Sequence, residues 1–125
     1  MWVFTTDGFF SVVEHNTEPM AVMVKARNRA HLERVVKWVR DEGEGWPHIL
    51  QDEDFDFIVR TIILKDTWAR YLSQRAMEIN YTANVKGNIM EATDPELGNA
   101  MFEIWELMVR YQREIHPDSA RDLTH

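Results

Sequence analysis

The sequence predicts an α+β domain in two layers: a four-stranded, mainly antiparallel sheet begun by an N-terminal β-hairpin, with helices on one face and a partly ferredoxin-like middle. Three observations predict it. Residues 2–15, "WVFTTDGFFSVVEH", are dense in aromatic and β-branched residues around a single Asp7-Gly8. Two more strand-like runs, 20–27 and 55–64, flank a stretch with apolar residues at helical spacing, and the last third of the chain is helical in period. The resulting order, three strands, helix, strand, two helices, separates strands and helices into layers.

Asp7-Gly8 fits the two positive-φ positions of a type I′ turn. That register sets Thr6 opposite Phe9 and Phe4 opposite Ser11. Trp2, Phe4, Thr6, Phe9, Ser11 and Val13 then share one face, and Val3, Thr5, Phe10, Val12 and Glu14 the other. Neither face is cleanly polar, so both are expected to be at least partly covered. In "MAVMVKAR" the alternation puts Met20, Val22, Val24 and Ala26 against Ala21, Met23, Lys25 and Arg27, a half-buried third strand.

Asn28 suits an N-cap. Leu32, Val35, Val36 and Val39 then recur at helical spacing over about 29–40, with Glu33 and Lys37 paired outside. "DEGEGWPHILQDED" reads as a loop pinned by Trp46, Ile49 and Leu50, and "FDFIVRTIIL" as the fourth strand. Asp66 is positioned to cap a second helix with Trp68, Leu72, Ala76 and Ile79 along one stripe. "NYTANVKGNIME" reads as a short helix weakened by Gly87. Asp94-Pro95 opens a last helix whose Leu97, Met101, Ile104, Trp105, Met108 and Tyr111 form the longest apolar stripe. His116 suits its C-terminus and Pro117 its end, giving one domain over 1–116 and a mobile tail over 117–125.

A chain of 125 residues, 45% hydrophobic and 11% aromatic, is long enough for one real core. Its formal charge of −7 opposes simple coating of nucleic acid or anionic lipid. The charge is blocked: residues 20–40 carry Lys25, Arg27, Arg29, Arg34, Lys37 and Arg40 against Glu33, whereas 41–56 carry seven carboxylates and no Lys or Arg. With no cysteine there is no disulfide, thiolate nucleophile or cysteine zinc site. No apolar run approaches the roughly 18 residues of a membrane span, so a cytoplasmic protein without membrane contact is expected.

No constellation for catalysis stands out, and no cofactor is expected. The five histidines form no i,i+4 pair, and no serine lies in a nucleophile elbow. His48 with Asp52, Asp54 and Asp56 is the one candidate for a divalent metal, and with it a metal-dependent hydrolase or nuclease. Consecutive acids in a loop are more simply a solvated rim. Lys25, Arg27 and Arg29 beside hairpin aromatics are the candidates for single-stranded nucleic acid or RNA on a sheet face.

"MWVFTTDGFFSVVEH", "VKARNRAHLERV", "DTWARYLSQRAMEINYTANVK" and "FEIWELM" together resemble small proteins, of no established activity, encoded by actinobacteria and their bacteriophages. The resemblance covers most of residues 1–110 and implies a context without carrying over any site residue. The leading expectation is a non-catalytic binding protein acting through protein–protein contact, with itself as a homodimer or with a host protein. Val3, Phe10, Val12, Lys25 and Arg27 are the expected contact residues, on the hairpin face that helices do not cover.

Overall fold

The computed structural model describes residues 1–79 and 94–118, and the chain divides into two compact units, Met1–Ala83 and Asn84–His125. In the first unit β1 (Trp2–Thr5), β2 (Gly8–Glu14), β3 (Ala21–Ala26), β4 (Leu50–Gln51) and β5 (Val59–Leu64) make one sheet. The order is β1-β2-β3-β5-β4, with every neighbouring pair antiparallel. Helices α1 (Arg29–Asp41) and α2 (Lys65–Met77) pack on one face. The class is α+β, with five strands among the described residues in place of the expected four.

The additional strand, β4, lies in the segment expected as a loop. Its two residues pair Leu50 with Arg60 and Gln51 with Val59, too short a run for any apolar alternation to reveal. β3 and β5 are direct antiparallel neighbours, so the passage through α1 is not the split unit of a ferredoxin-like fold. The long 42–58 connection lets the chain re-enter the sheet in the reverse direction.

The hairpin turns one residue earlier than the type I′ reading, which shifts each cross-strand partner by two: Thr5 faces Gly8, Phe4 faces Phe9 and Val3 faces Phe10. Thr6 and Asp7 form the turn, and among the described residues no non-glycine residue has positive φ, so Asp7-Gly8 is not a type I′ pair. A shift of two residues leaves every side chain on its expected face, because the strand period is two. Gly8 itself sits at φ +148°. A Cβ there would lie 2.2 Å from His31 Cγ, so the hairpin backbone and α1 meet at a distance only glycine allows.

Cross-strand rows build the core. Phe10, Ala26 and Val59 form one row, Val12, Val24 and Thr61 the next, and Val22 with Ile63 a third. Leu32, Val35 and Val39 of α1 and Trp68 and Tyr71 of α2 pack onto them. Each fully buried large apolar side chain is worth about 1.5–3 kcal/mol. Trp68 stacks on Tyr71 with centroids 5.1 Å apart and receives Phe10 edge-on at 6.2 Å.

Local signals hold in part. Asn28 caps α1 by accepting from Ala30 N at 2.9 Å. On α1 Arg29 pairs with Glu33 at 3.0 Å and Lys37 with Asp41 at 2.6 Å, in place of Glu33–Lys37. Leu64 holds the N-cap of α2, and Asp66 stands inside the first turn, 3.4 Å from Arg70. Of the expected loop anchors only Ile49 packs on the core; Trp46 and Leu50 are exposed. Glu44 pairs with Arg70, and Thr61 Oγ1 donates to His48 O at 2.7 Å, which ties the loop down instead.

The buried stripe of α2 runs through Thr67, Trp68 and Tyr71, while Ala76 and Ile79 are exposed. A polar anchor accounts for the rotation. Tyr71 Oη lies 2.9 Å from Thr5 Oγ1 and donates to Asp7 Oδ2 at 2.6 Å, and Arg75 Nε donates to the same oxygen at 2.8 Å. Arg34 donates to Asp7 O at 2.9 Å from α1. The turn residue thus ties both helices to the hairpin.

Burial, then the charge of Asp7 and its hydrogen bond, push the Tyr71 phenol well above its ordinary value. Above about pH 10 the unfolded phenol ionises while the folded one keeps its proton, so the unfolded state binds fewer protons and stability falls as pH rises. Urea midpoints between about pH 8 and 11 should therefore decline more steeply for the parent than for Tyr71→Phe. The variant itself should cost about 1 kcal/mol at the lower pH. Equal slopes would mean that neither burial nor Asp7 raises this phenol.

In the second unit α3 spans Pro95–Ile115. Asp94 Oδ1 accepts from Leu97 N at 3.1 Å, Pro95 occupies the first turn, and His116 ends the helix by donating its N–H to Gln112 O at 2.8 Å, as the sequence signals predict. Phe102 stacks on Trp105 at 5.9 Å. The short helix expected over "NYTANVKGNIME" and the tail beyond Asp118 lie outside the described residues.

Candidate functional site

The face of the sheet opposite α1 and α2 carries the side chains that alternate with the core rows. One row crosses the sheet as Trp2, Ser11, Lys25, Arg60 and Leu50, the next as Val13, Met23 and Ile62, and beyond it Ala21 faces Leu64. Trp2 is 76% exposed, Val13 40%, Ile62 51% and Leu64 55%. Ile62 and Leu64 run on into a groove of about 260 Å³ that Trp46 and Pro47 also line.

The end of the face next to the hairpin turn is aromatic and cationic. Phe4 stacks on Phe9 at 4.6 Å, Trp2 meets Phe9 edge-on at 5.9 Å, and Phe57 lies 6.2 Å from Phe9. Arg27 covers the Phe57 ring at 3.9 Å with Lys25 Nζ at 5.7 Å, and Arg60 covers Phe55 at 3.6 Å. Such contacts hold a cation by the ring quadrupole and leave its charge uncancelled. Among the described residues none of Lys25, Arg27 and Arg60 has a carboxylate at ion-pair distance, whereas Arg29, Lys37, Lys65, Arg70 and Arg75 do. Arg27 instead donates to the backbone oxygen of Asp56 at 2.7 Å. Arg60 Nε is buried without a hydrogen-bond partner, and its Nη1 lies 3.9 Å from Met23 Sδ.

The expected contact residues are divided by the sheet. Lys25 stands on the open face and Arg27 at its end, but Phe10 is fully buried, Val12 is buried and Val3 packs beside them under the helices. Correct alternation with the wrong choice of covered face explains this: the face bearing Val3, Phe10 and Val12 continues through Val24 and Val59, so the helices take it. The exposed apolar side chains of the hairpin are Trp2 and Val13. Arg29 leaves the nucleic-acid set, since it donates to Glu33 and, at 2.9 Å, to Gln51 Oε1. Arg60 takes its place. Alternation along "FDFIVRTIIL" already groups Arg60 with Ile62 and Leu64, which is the signal that could have found it.

His48, Asp52, Asp54 and Asp56 are exposed, and among the described residues no three metal-ligating side chains converge. Asp52 Oδ1 accepts from Asp54 N and Asp56 Oδ1 from Phe57 N, both at 2.9 Å, so two of these carboxylates hold loop backbone. Among the described residues no helix is long and apolar enough to cross a membrane. No family model, curated protein or solved structure matches the chain.

Proposed function

We propose that the protein is a non-catalytic binding protein that engages another protein through the open face of its sheet. One observation carries this reading: Trp2, Val13, Ile62 and Leu64, each at least 40% exposed, share that face, and Ile62 and Leu64 line the groove at Trp46. Scattered apolar residues are ordinary on a surface, but a face of them marks contact. The aliphatic rows offer nothing for a base to stack on, and the net charge of −7 disfavours a polyanion. The resemblance to proteins of actinobacteria and their phages fits a host-directed partner as well as a cellular one.

A photo-crosslinking residue at Ile62 tests it in cells that make the protein. Discrete protein adducts are expected from Ile62 and not from Lys37 on the outer surface of α1. No adduct, or the same adducts from both sites, would overturn the proposal.

A second reading rests on the three cations held by rings without carboxylate partners, which suit a single-stranded nucleic acid. Anisotropy of a labelled oligothymidylate at low salt decides between the two. Binding that Lys25→Ala with Arg60→Ala abolishes would put nucleic acid first, and no binding by the parent removes it.

A further inference from the structure

Lys25 and Arg60 are cross-strand partners in one row of the open sheet face, and Arg27 lies at its end. No Asp or Glu stands among the strand residues that share this face, in a chain whose net charge is −7. Carboxylates of the acidic 41–56 block are engaged elsewhere: Asp52 and Asp56 accept from loop backbone, Asp41 pairs with Lys37 and Glu44 with Arg70. The cations are also held in place, Arg60 over Phe55 and both Arg27 and Lys25 over Phe57. A guanidinium stacked on a ring keeps the N–H groups at its edge for a carboxylate, and a side chain already ordered loses little entropy on binding.

The rows beyond the cations are aliphatic. Met23 and Ile62 stand one row on, about 7 Å away, and Leu64 two rows on, about 14 Å away. We infer that the face takes an acidic, apolar segment of another protein. Its carboxylates would lie over Lys25 and Arg60, and its apolar side chains about 7–14 Å further on, over Ile62, Leu64 and the groove at Trp46. This rests on the reading of the sheet face as a protein contact and adds the partner's chemistry. The selecting charges and the apolar rows lie on the same face, so one partner segment must satisfy both. A polyanion would meet the cations but not the aliphatic rows, and a purely apolar partner would leave desolvated cations unpaired.

A phage-displayed library of random linear peptides, panned at low salt on the immobilised full chain, is the probe. Enriched peptides should combine Asp or Glu with aliphatic or aromatic residues, and panning Lys25→Glu with Arg60→Glu should enrich Lys and Arg instead. A labelled synthetic copy of an enriched peptide should bind the parent, and the charge-reversed variant should weaken it about tenfold or more. Lys25→Gln with Arg60→Gln, which adds no charge to the face, should act in the same direction and serves if circular dichroism shows the reversed variant unfolded. Ile62→Ser should weaken binding too, and Lys37→Glu on the outer surface of α1 should not. Enriched peptides without acids, or binding that survives loss of both cations but falls with Ile62→Ser, would overturn the inference and leave the face a protein contact of other chemistry. Displacement of the peptide by oligothymidylate at a lower concentration than by its own unlabelled copy would give the face to nucleic acid and overturn both. A parent whose mass doubles with concentration, unless the two Gln substitutions are present, would make a second copy the occupant and overturn the inference. No enrichment overturns it as well, and adducts from Ile62 then decide the broader reading by themselves.

Discussion

Val12→Glu should unfold the first unit, and Val13→Glu, one residue along the same strand, should leave its thermal midpoint nearly unchanged. Val12 is buried in the row with Val24 and Thr61, beneath both helices, where a carboxylate would have neither water nor a cation. An unpaired charge in such a site is among the few single changes that cost more than about 4 kcal/mol, against a total stability of about 5–15 kcal/mol. Val13 points the other way and is 40% exposed. A carboxylate there stays hydrated, and surface changes of that kind fall within about 0.5 kcal/mol. Similar midpoints for the two variants would mean that the helices do not choose between the faces as described. The pair also separates fold from binding, since only Val13→Glu can be tested for loss of a partner.

Gly8→Val should cost about 2–6 kcal/mol, from backbone strain and overpacking together. The first term arises because Gly8 stands at φ +148°, where a β-branched residue is a steric outlier. The second arises from α1: His31 Cγ, Cβ and Nδ1 lie 2.2–2.5 Å from where the new Cβ would be. His31 is buried, and Phe9 N donates to its Nδ1 at 3.4 Å, so the ring is held against the hairpin and has little room to withdraw. Gly8→Ala tests the two terms separately. His31→Ala removes Cγ and Nδ1 but keeps Cβ at 2.5 Å, so it should recover part of the loss in a Gly8→Ala background, with the strain remaining. Denaturant midpoints of the two single variants and the double variant check this. No coupling between the sites would assign the whole loss to backbone strain.

The anchor at Asp7 shows how one residue can be noticed for a reason that the structure replaces. Asp before Gly is a turn signal in sequence, and a turn does occur there. Its carboxylate, however, receives Tyr71 Oη and Arg75 Nε, from residues more than sixty positions away. Helical periodicity favours Leu72, Ala76 and Ile79 because they are apolar. Leu72 does pack on the core, but Ala76 and Ile79 are exposed, and the helix instead buries Tyr71 and half-buries Arg75, whose polar groups find partners at the hairpin. Hydrophobic pattern alone carries no information about such pairing.

What the sequence by itself determined is local: the strand runs 2–14, 21–26 and 59–64, the Asn28 cap of α1, the Asp94-Pro95 start of α3, and the sorting of hairpin side chains into two sets. These depend on period, capping and turn chemistry between residues close in the chain. Lys25 could be placed on a face for the same reason. Tertiary structure decided which set the helices cover, the two-residue shift in hairpin register, the direction of β5 against β3, the strand β4, and the meeting of Lys25, Arg27 and Arg60 with the rings of Phe55 and Phe57. Each of those outcomes compares the burial of distant surfaces. Trp2, Phe4 and Phe9 are as apolar as Val3, Phe10 and Val12, so the hairpin alone is indifferent. The tie is broken only when β3 and β5 extend one face as Val22, Val24, Ala26, Val59 and Ile63 and place Lys25 and Arg60 on the other, because burying a row with two unpaired cations under helices costs more than leaving aromatics in water.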